Sequence, residues 1–352
     1  MKVISLINPH SGCDYHRVKL PVTYLHKAGL IQGVVADSFE ASLEQCEILL
    51  YNRLPFGRSL ETILEARKRY GFKIVVDLDD YWQLYPGHYL ERVWQAQQLE
   101  KHILRNLTIA DAVICTSDRL KDKIEPYNTN VYVVPNGLPF GDLQFTPERA
   151  PGQRMRFMYC GGGSHFWDVR LLAGAMDKLA RHNFAGEVIL AGVADGVKIY
   201  RDMAGVMSAQ GRLKHARTLK YQALDSYMDL YNDGDVALAP LVANSFNSHK
   251  SNLKVIEAGC KAMPIIVSNT GPYYDDECPY LMRVDSPGEW YKWIRFCHDN
   301  PSFVENNGGY LHEYVKQNYD IRILNFLRME AFESVMKTVK YGKRADNQPV
   351  RE

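Results

Sequence analysis

The feature that most constrains this chain is a rhythm that runs its whole length and restarts half way. Short β-rich apolar runs alternate with helical segments: residues 1–8, 46–51, 72–78, 112–117 and 131–136 read as strands. Between them, 20–28, 60–70 and an amphipathic stretch over 92–107 read as helices. Strands that are apolar on both faces need cover on both faces, so the pattern predicts a parallel sheet sandwiched by helices. Pro135-Asn136-Gly137-Leu138-Pro139 closes the first set, and residues 154–160, 186–192, 235–241 and 263–268 open a second. The expected architecture is α/β, with two doubly wound, Rossmann-like domains facing across a cleft at the carboxyl ends of their strands. The boundaries fall at 1–140 for the first domain, 141–153 for a linker carrying Pro147, Pro151 and Gly152, and 154–318 for the second domain. Residues 319–352 then supply a long helix, from about Ile321 to Val339, that returns toward the first domain and ends in a tail.

Composition narrows the partners. Of 352 residues, 46% are hydrophobic and 24% charged, a globular balance rather than a disordered one. Forty-two basic residues against forty-one acidic ones leave a net charge of +1, so an anionic partner has to be met by a local patch. The seven cysteines are scattered, with no paired spacing that would hold a metal or a disulfide framework, which predicts reduced thiols and a cytoplasmic location. The first apolar run is too short for a signal peptide, and no stretch approaches the ~20 residues of a membrane span, so no membrane insertion is expected.

The most informative segment runs from Asn244 through Asn247, Lys250, Ser251, Asn252, Lys254 and Glu257 to Pro264. It follows a strand, so it stands at the carboxyl end of the sheet. Ser251 or Asn252 can cap the helix that starts there, leaving free N–H groups and a positive dipole end. That arrangement suits a phosphate, and Lys250 and Lys254 add charge at the same end. Glu257, three residues after Lys254, shares its helix face. An acid beside a diphosphate suits a ribose diol better than the phosphate, although an ordinary Lys254–Glu257 surface pair is the bland alternative.

The stretch from Pro240 to Ser268 resembles the donor-binding motif of the large retaining glycosyltransferase family of GT-B fold that includes sucrose and mannosyl transferases. The run Ile256-Glu257-Ala258-Gly259-Cys260-Lys261-Ala262-Met263-Pro264-Ile265-Ile266 is similar to the second half of that motif. The resemblance gives Glu257 the place of the ribose-binding glutamate and leaves His249 where the family has its first glutamate. The Asn247–Lys254 variant resembles a bacterial and bacteriophage branch. Gly161, Gly162 and Gly163 follow a strand where the family sets a glycine turn against the donor phosphates, and glycine lets backbone N–H groups close on an anion. The arginine and lysine that usually follow this turn are missing here, with His165 and Asp168 in their region, so Lys250 and Lys254 carry more of the charge.

In the first half, Gly12 lies in the first strand-to-helix loop, and the resemblance places it beside the donor. Arg17, in the first helical turn, is expected to face the cleft and the acceptor. Asp77, Asp79 and Asp80 end a strand and therefore sit at the functional end of the sheet. The family usually reads His-Asp-Leu-Trp where this chain has Asp79-Asp80-Tyr81-Trp82, so Asp79 or Asp80 is expected to orient a sugar or acceptor hydroxyl as the catalytic carboxylate. An Asp-x-Asp triplet also raises the question of a divalent ion, which the resemblance answers with no metal and no cofactor beyond the nucleotide sugar itself.

These residues lead to a nucleotide-diphosphate-sugar-dependent transferase, and the resemblance implies that it retains configuration at the sugar carbon. An epimerase and a nucleotide-sugar-binding protein without catalysis are the alternatives. For the acceptor, a basic run containing Arg53, Arg58, Arg67, Lys68, Arg69 and Lys73, interleaved with Tyr70 and Phe72, suits a phosphate backbone. With the bacteriophage-like motif, that points to duplex DNA bearing a hydroxymethylated pyrimidine, delivered by base flipping in a host cytoplasm. Lys337, Lys340, Lys343 and Arg344 form a second patch, and a cell-envelope glycan or lipid is the rival acceptor.

Overall fold

A computed structural model describes residues 1–37, 43–149 and 152–342, with side chains given up to residue 337. Its strands, in chain order, are β1 (Lys2–Leu6), β2 (Gln32–Ala36), β3 (Ile48–Asn52), β4 (Lys73–Leu78), β5 (Ala112–Cys115), β6 (Val131–Val133), β7 (Arg156–Cys160), β8 (Glu187–Val193), β9 (Ala216–Lys220), β10 (Val236–Ala239), β11 (Ile265–Ser268) and β12 (Met282–Val284). They form two six-stranded sheets, ordered β2-β1-β3-β4-β5-β6 and β12-β11-β10-β7-β8-β9, and every pairing is parallel.

The chain divides into two compact units, one per sheet. The first comprises Met1–Gln83, Trp94–Gly137 and the chain from Ile321 on; the second comprises Leu84–Val93 and Leu138–Asp320. The helix Ile321–Gly342 packs on the helix Leu20–Lys27 and against β4, β5 and β6, burying Leu324, Ala331, Phe332 and Val335. The segment after Pro139 is not a spacer. Phe140 and Phe145 are buried, Gln144 donates to the Leu224 carbonyl at 2.9 Å, and its side-chain oxygen accepts from the Met228 N–H at 2.8 Å. Burial of two phenyl rings decides this segment, and its turn residues only shape it. The 84–93 segment is likewise part of the second unit, with Tyr85 and His88 against the Phe246 ring and the Trp167 indole donating to the Gly87 carbonyl. Of the residues placed in a linker or basic patch, Pro151, Lys343 and Arg344 lie outside the described residues, and the Lys340 side chain outside the described side chains.

Order within each sheet sets where a ligand can bind. In the first unit the chain leaves β1 to one side for β2 and returns to the other side for β3; in the second it leaves β7 for β8 and returns for β10. At such a switch point two consecutive crossovers run to opposite faces, which opens a crevice at the carboxyl ends of the flanking strands.

Candidate functional sites at the two switch points

At the first switch point, the loop after β1 leads into helix from Gly12, capped by Ser11, whose hydroxyl accepts from the Asp14 N–H at 3.2 Å. The helix then widens to π geometry over Tyr15–Lys19, the Leu20 N–H reaching back to the Tyr15 carbonyl. Pro21 explains the widening, because it has no N–H for the Arg17 carbonyl and its ring would press on it. After β3, Arg53 holds φ at +54°, a left-handed conformation rare outside glycine. From there its guanidinium reaches three groups: Asp79 Oδ1 at 2.9–3.0 Å, Asp80 Oδ2 at 2.9 Å and Cys13 Sγ at 3.0 Å. Asn52 donates to the same Asp79 oxygen at 3.1 Å.

Burial would raise the Asp79 pKa, but the Arg53 guanidinium overrides it and holds the carboxyl well below its usual range. Asp14 goes the other way: burial pushes it up to about 6. Two carboxyls at one end of the sheet are thus pushed in opposite directions by their surroundings. The Cys13, Asp79 and Asp80 ligand atoms lie within 4.8 Å of one another, a spacing that suits a cation. The Arg53 guanidinium already contacts all three and supplies the positive charge there.

Arg17 does not reach an acceptor. It is 1% exposed, with Nε 2.8 Å from Asp77 Oδ1, Nη2 3.0 Å from Asp77 Oδ2, and Nη1 on the Val134 carbonyl and the Asn136 amide oxygen. The wide helical turn aims it inward, where a guanidinium is tolerated only with such partners. The basic run also separates into individual tasks. Arg53 serves the acids; Arg67 binds both Asp111 oxygens at 2.9 Å and the Ile109 carbonyl at 3.1 Å; Lys73 is 3.2 Å from Asp111. Lys68 and Arg69 stay exposed, Arg69 lying over the Tyr70 ring.

At the second switch point the turn after β7 and the loop after β10 lie side by side, because β7 and β10 are paired. The last two of the three glycines in the turn serve different ends. A Cβ on Gly163 would sit 2.7 Å from Ile199 Cγ2, so packing demands glycine there, whereas one on Gly162 would meet nothing nearer than 3.9 Å. Asp168, 2% exposed, joins the two loops: Oδ2 lies 2.7 Å from His165 Nδ1, and Oδ1 accepts from the Val242 N–H at 2.8 Å and the Asn247 amide at 3.1 Å. Asn247 is thereby buried as a brace and does not present its side chain to a ligand. His249, where the resemblance puts a glutamate, is buried with Nδ1 2.6 Å from the Ser245 carbonyl.

The helix Leu253–Cys260 begins at Asn252 with no side-chain cap, contrary to the expectation for Ser251 or Asn252. The Asn252 amide is drawn instead to Asp276 at 2.7 Å and the Tyr319 hydroxyl at 2.8 Å, which leaves the first N–H groups of the helix uncapped. Lys250 carries its ammonium 4.7 Å from the centre of the Phe246 ring. Glu257 has a different place from the one expected. It is 1% exposed, and its carboxylate accepts from Tyr227 at 2.9 Å, Tyr231 at 2.7 Å and Lys254 Nζ at 2.8 Å. It holds the lysine rather than facing solvent, and Lys254, though its burial favours the neutral form, is kept charged by that carboxylate.

Sequence reasoning did not assign Cys13, Asp14, Tyr227 or Tyr231, nor the clamp formed by Arg53. Tyr227 and Tyr231 lie in a 3₁₀ helix (Tyr227–Asp233), where a spacing of four gives no shared face, so their meeting at Glu257 carried no readable signal. The Arg53 backbone conformation carried none either.

No family model and no curated protein matches the sequence. Solved structures do match over nearly the whole chain. Sucrose-phosphate synthase from Thermosynechococcus elongatus is 13% identical, with a TM-score of 0.68, covering 96% of this chain and 99% of that one. HepE of Anabaena, solved with UDP and glucose, is 12% identical with a TM-score of 0.68 over 95% of this chain and 99% of that one. A glycosyltransferase from Rickettsia africae is 10% identical, with a TM-score of 0.67, over 96% and 98%. The shared architecture is the GT-B fold of two α/β domains.

Proposed function

We propose that this chain is a glycosyltransferase that takes a sugar from a nucleoside diphosphate, UDP in the first instance, and transfers it to an acceptor hydroxyl with retention. The observation that carries this reading is the second switch point. A glycine turn after β7 and an uncapped helix start after β10 flank it, with Lys254 held charged by Glu257. N–H groups and a fixed ammonium in one crevice suit a diphosphate and stabilise it as it leaves. HepE, which shares the fold, has been solved with UDP-glucose, which supports UDP as the nucleotide.

Retention rests on the resemblance of the 240–268 motif to the retaining family, and the placing of the acids is compatible with it. Asp168 and Glu257 are each locked by three donors, so neither is placed as a nucleophile. The acceptor oxygen then bonds to the anomeric carbon on the face from which the diphosphate departs, and a diphosphate oxygen takes the hydroxyl proton. In the first unit, Asp79 and Asp80, fixed by Arg53, orient the incoming hydroxyl, and the step is proposed to run without a metal. Seven free thiols support action in a reducing cytoplasm.

For the acceptor we carry forward duplex DNA with a hydroxymethylated pyrimidine, supported by exposed Lys68 and Arg69 beside Tyr70. Arg17, Arg53, Arg67 and Lys73 have internal partners and are withdrawn from that surface. The test incubates the protein and EDTA with a panel of nucleotide sugars and DNA containing hydroxymethylcytosine, then digests to nucleosides for mass spectrometry. A hexose or pentose mass on the base supports the whole reading. Transfer only to glycan or lipid overturns the DNA acceptor, and turnover only with manganese overturns the metal-free step.

A further inference from the structure

The donor end of the second unit is short of positive charge. Lys254 is matched by Glu257 at 2.8 Å, and Lys250 rests on the Phe246 ring. A diphosphate diester brings two negative charges. His165 stands in the single helical turn that follows the glycine turn, and its ring is fixed by Asp168, itself held by the Val242 N–H and the Asn247 amide. With Nδ1–H directed at that carboxylate, Nε2 is the ring atom left for a ligand, and the side chain is 27% exposed. A carboxylate behind an imidazole fixes its tautomer and the direction in which the other ring nitrogen points.

Resting on the donor reading above, we propose that His165 is a proton-gated phosphate ligand with Asp168 as its positioning residue, so that the diphosphate binds together with one proton on the imidazole. The proton enters at Nε2 and is shared with a non-bridging phosphate oxygen, while Nδ1–H stays on Asp168. Binding the anion and charging the ring are then one event, which adds a second cation to the ammonium of Lys254.

The other titratable groups around this pair do not confuse the reading. Tyr159 on β7 is pushed well above its ordinary range by burial, Tyr273 is raised by burial, and Tyr85 on the 84–93 segment is pushed up to about 12 by burial. All three stay neutral between pH 6 and 8. Tyr200 borders the turn, its hydroxyl 4.0 Å from where a Gly162 Cβ would lie. Lys254 is raised by Glu257 against the pull of burial and stays charged, so its ion pair adds no proton in that window.

Calorimetry with UDP-glucose tests the proposal, because its diphosphate is a diester whose charge does not change near neutrality. Titrations at one pH in buffers of different ionisation enthalpy count the protons taken up. The parent protein should take up a fraction of a proton that approaches one as pH rises from 6.5 to 8, while its affinity falls up to tenfold per pH unit. His165→Gln, on a partly exposed side chain, should bind without proton uptake and with a flat pH profile, and Asp168→Asn should lower both affinity and uptake. Binding of UDP-glucose with no proton uptake by the parent, or unchanged uptake in His165→Gln, overturns the gate and leaves the donor site standing. Absence of binding by UDP-glucose, GDP-mannose and ADP-glucose overturns the donor reading and the gate with it.

Discussion

Arg328 on the closing helix is 1% exposed, yet only its Nη1 has a partner, the Asn325 amide oxygen at 3.3 Å; Nε and Nη2 are buried without one. Burial first, and then repulsion from Arg17, push its pKa down from the ordinary arginine value to about 9, although Asp77 pulls the other way. At roughly 1.4 kcal/mol per pH unit, that drop makes the charged form about 5 kcal/mol costlier in the folded chain than in the unfolded one. One carboxylate, Asp77, thus serves two buried guanidiniums, with its geometry given to Arg17. Replacing Arg328 by methionine removes the surplus charge and keeps the volume, so Arg328→Met should stabilise the protein by about 1–4 kcal/mol in urea unfolding. The sign of the pH dependence follows. Above pH 9 the folded parent releases this proton before the unfolded chain does, so its stability rises with pH and the gap to Arg328→Met should narrow. Asp77→Asn should cost about 3–5 kcal/mol, and less in the methionine background. A loss of more than about 1 kcal/mol in Arg328→Met, or a gap that does not change with pH, refutes the reasoning.

Three further outcomes are expected. Lys254→Ala should weaken UDP binding about ten- to a hundredfold by calorimetry, the range of one charge-assisted hydrogen bond, and Glu257→Gln should weaken it less, by loosening Lys254. Asp14 is raised by burial from 3.8 to about 6, so its contribution is fully present below pH 4 and lost as pH rises through 6; Asp14→Asn should therefore be more stable than the parent at pH 7, by up to about 3 kcal/mol, with the difference closing toward pH 4 in unfolding titrations. Lys68→Ala with Arg69→Ala should flatten the salt dependence of DNA binding by up to about two phosphate contacts while leaving UDP affinity unchanged, and an unchanged slope sets DNA aside as the partner of that face.

How much of this was legible in the sequence depended on burial. Central strands buried on both faces announce themselves as unbroken apolar runs, and β1, β3, β4, β5, β7, β8, β10 and β11 were all readable. The edge strand β6 was read as well, from its apolar run, whereas the strands not anticipated, β2, β9 and β12, lie at sheet edges where polar residues are tolerated: Gln32, Arg217 and Arg283 sit within them. Positions at the carboxyl ends of strands followed from topology alone, which is why Asp79, Asp80, Lys254 and Glu257 were picked out. Their partners were not, because the pairing of Arg53 with Asp79 or of Arg17 with Asp77 depends on side-chain direction. A cation counted in a sequence reads as available charge, whereas in the fold Arg17, Arg53 and Arg67 are already neutralised.

The account stands on where a diphosphate binds. A crystal structure of the protein soaked with UDP reads that position directly. The account predicts diphosphate density at the second switch point, against the Gly162–Gly163 turn, within hydrogen-bonding reach of Lys254 Nζ and His165 Nε2. Density for the diphosphate on the Arg53 cluster of the first unit, or on neither switch point, would contradict it.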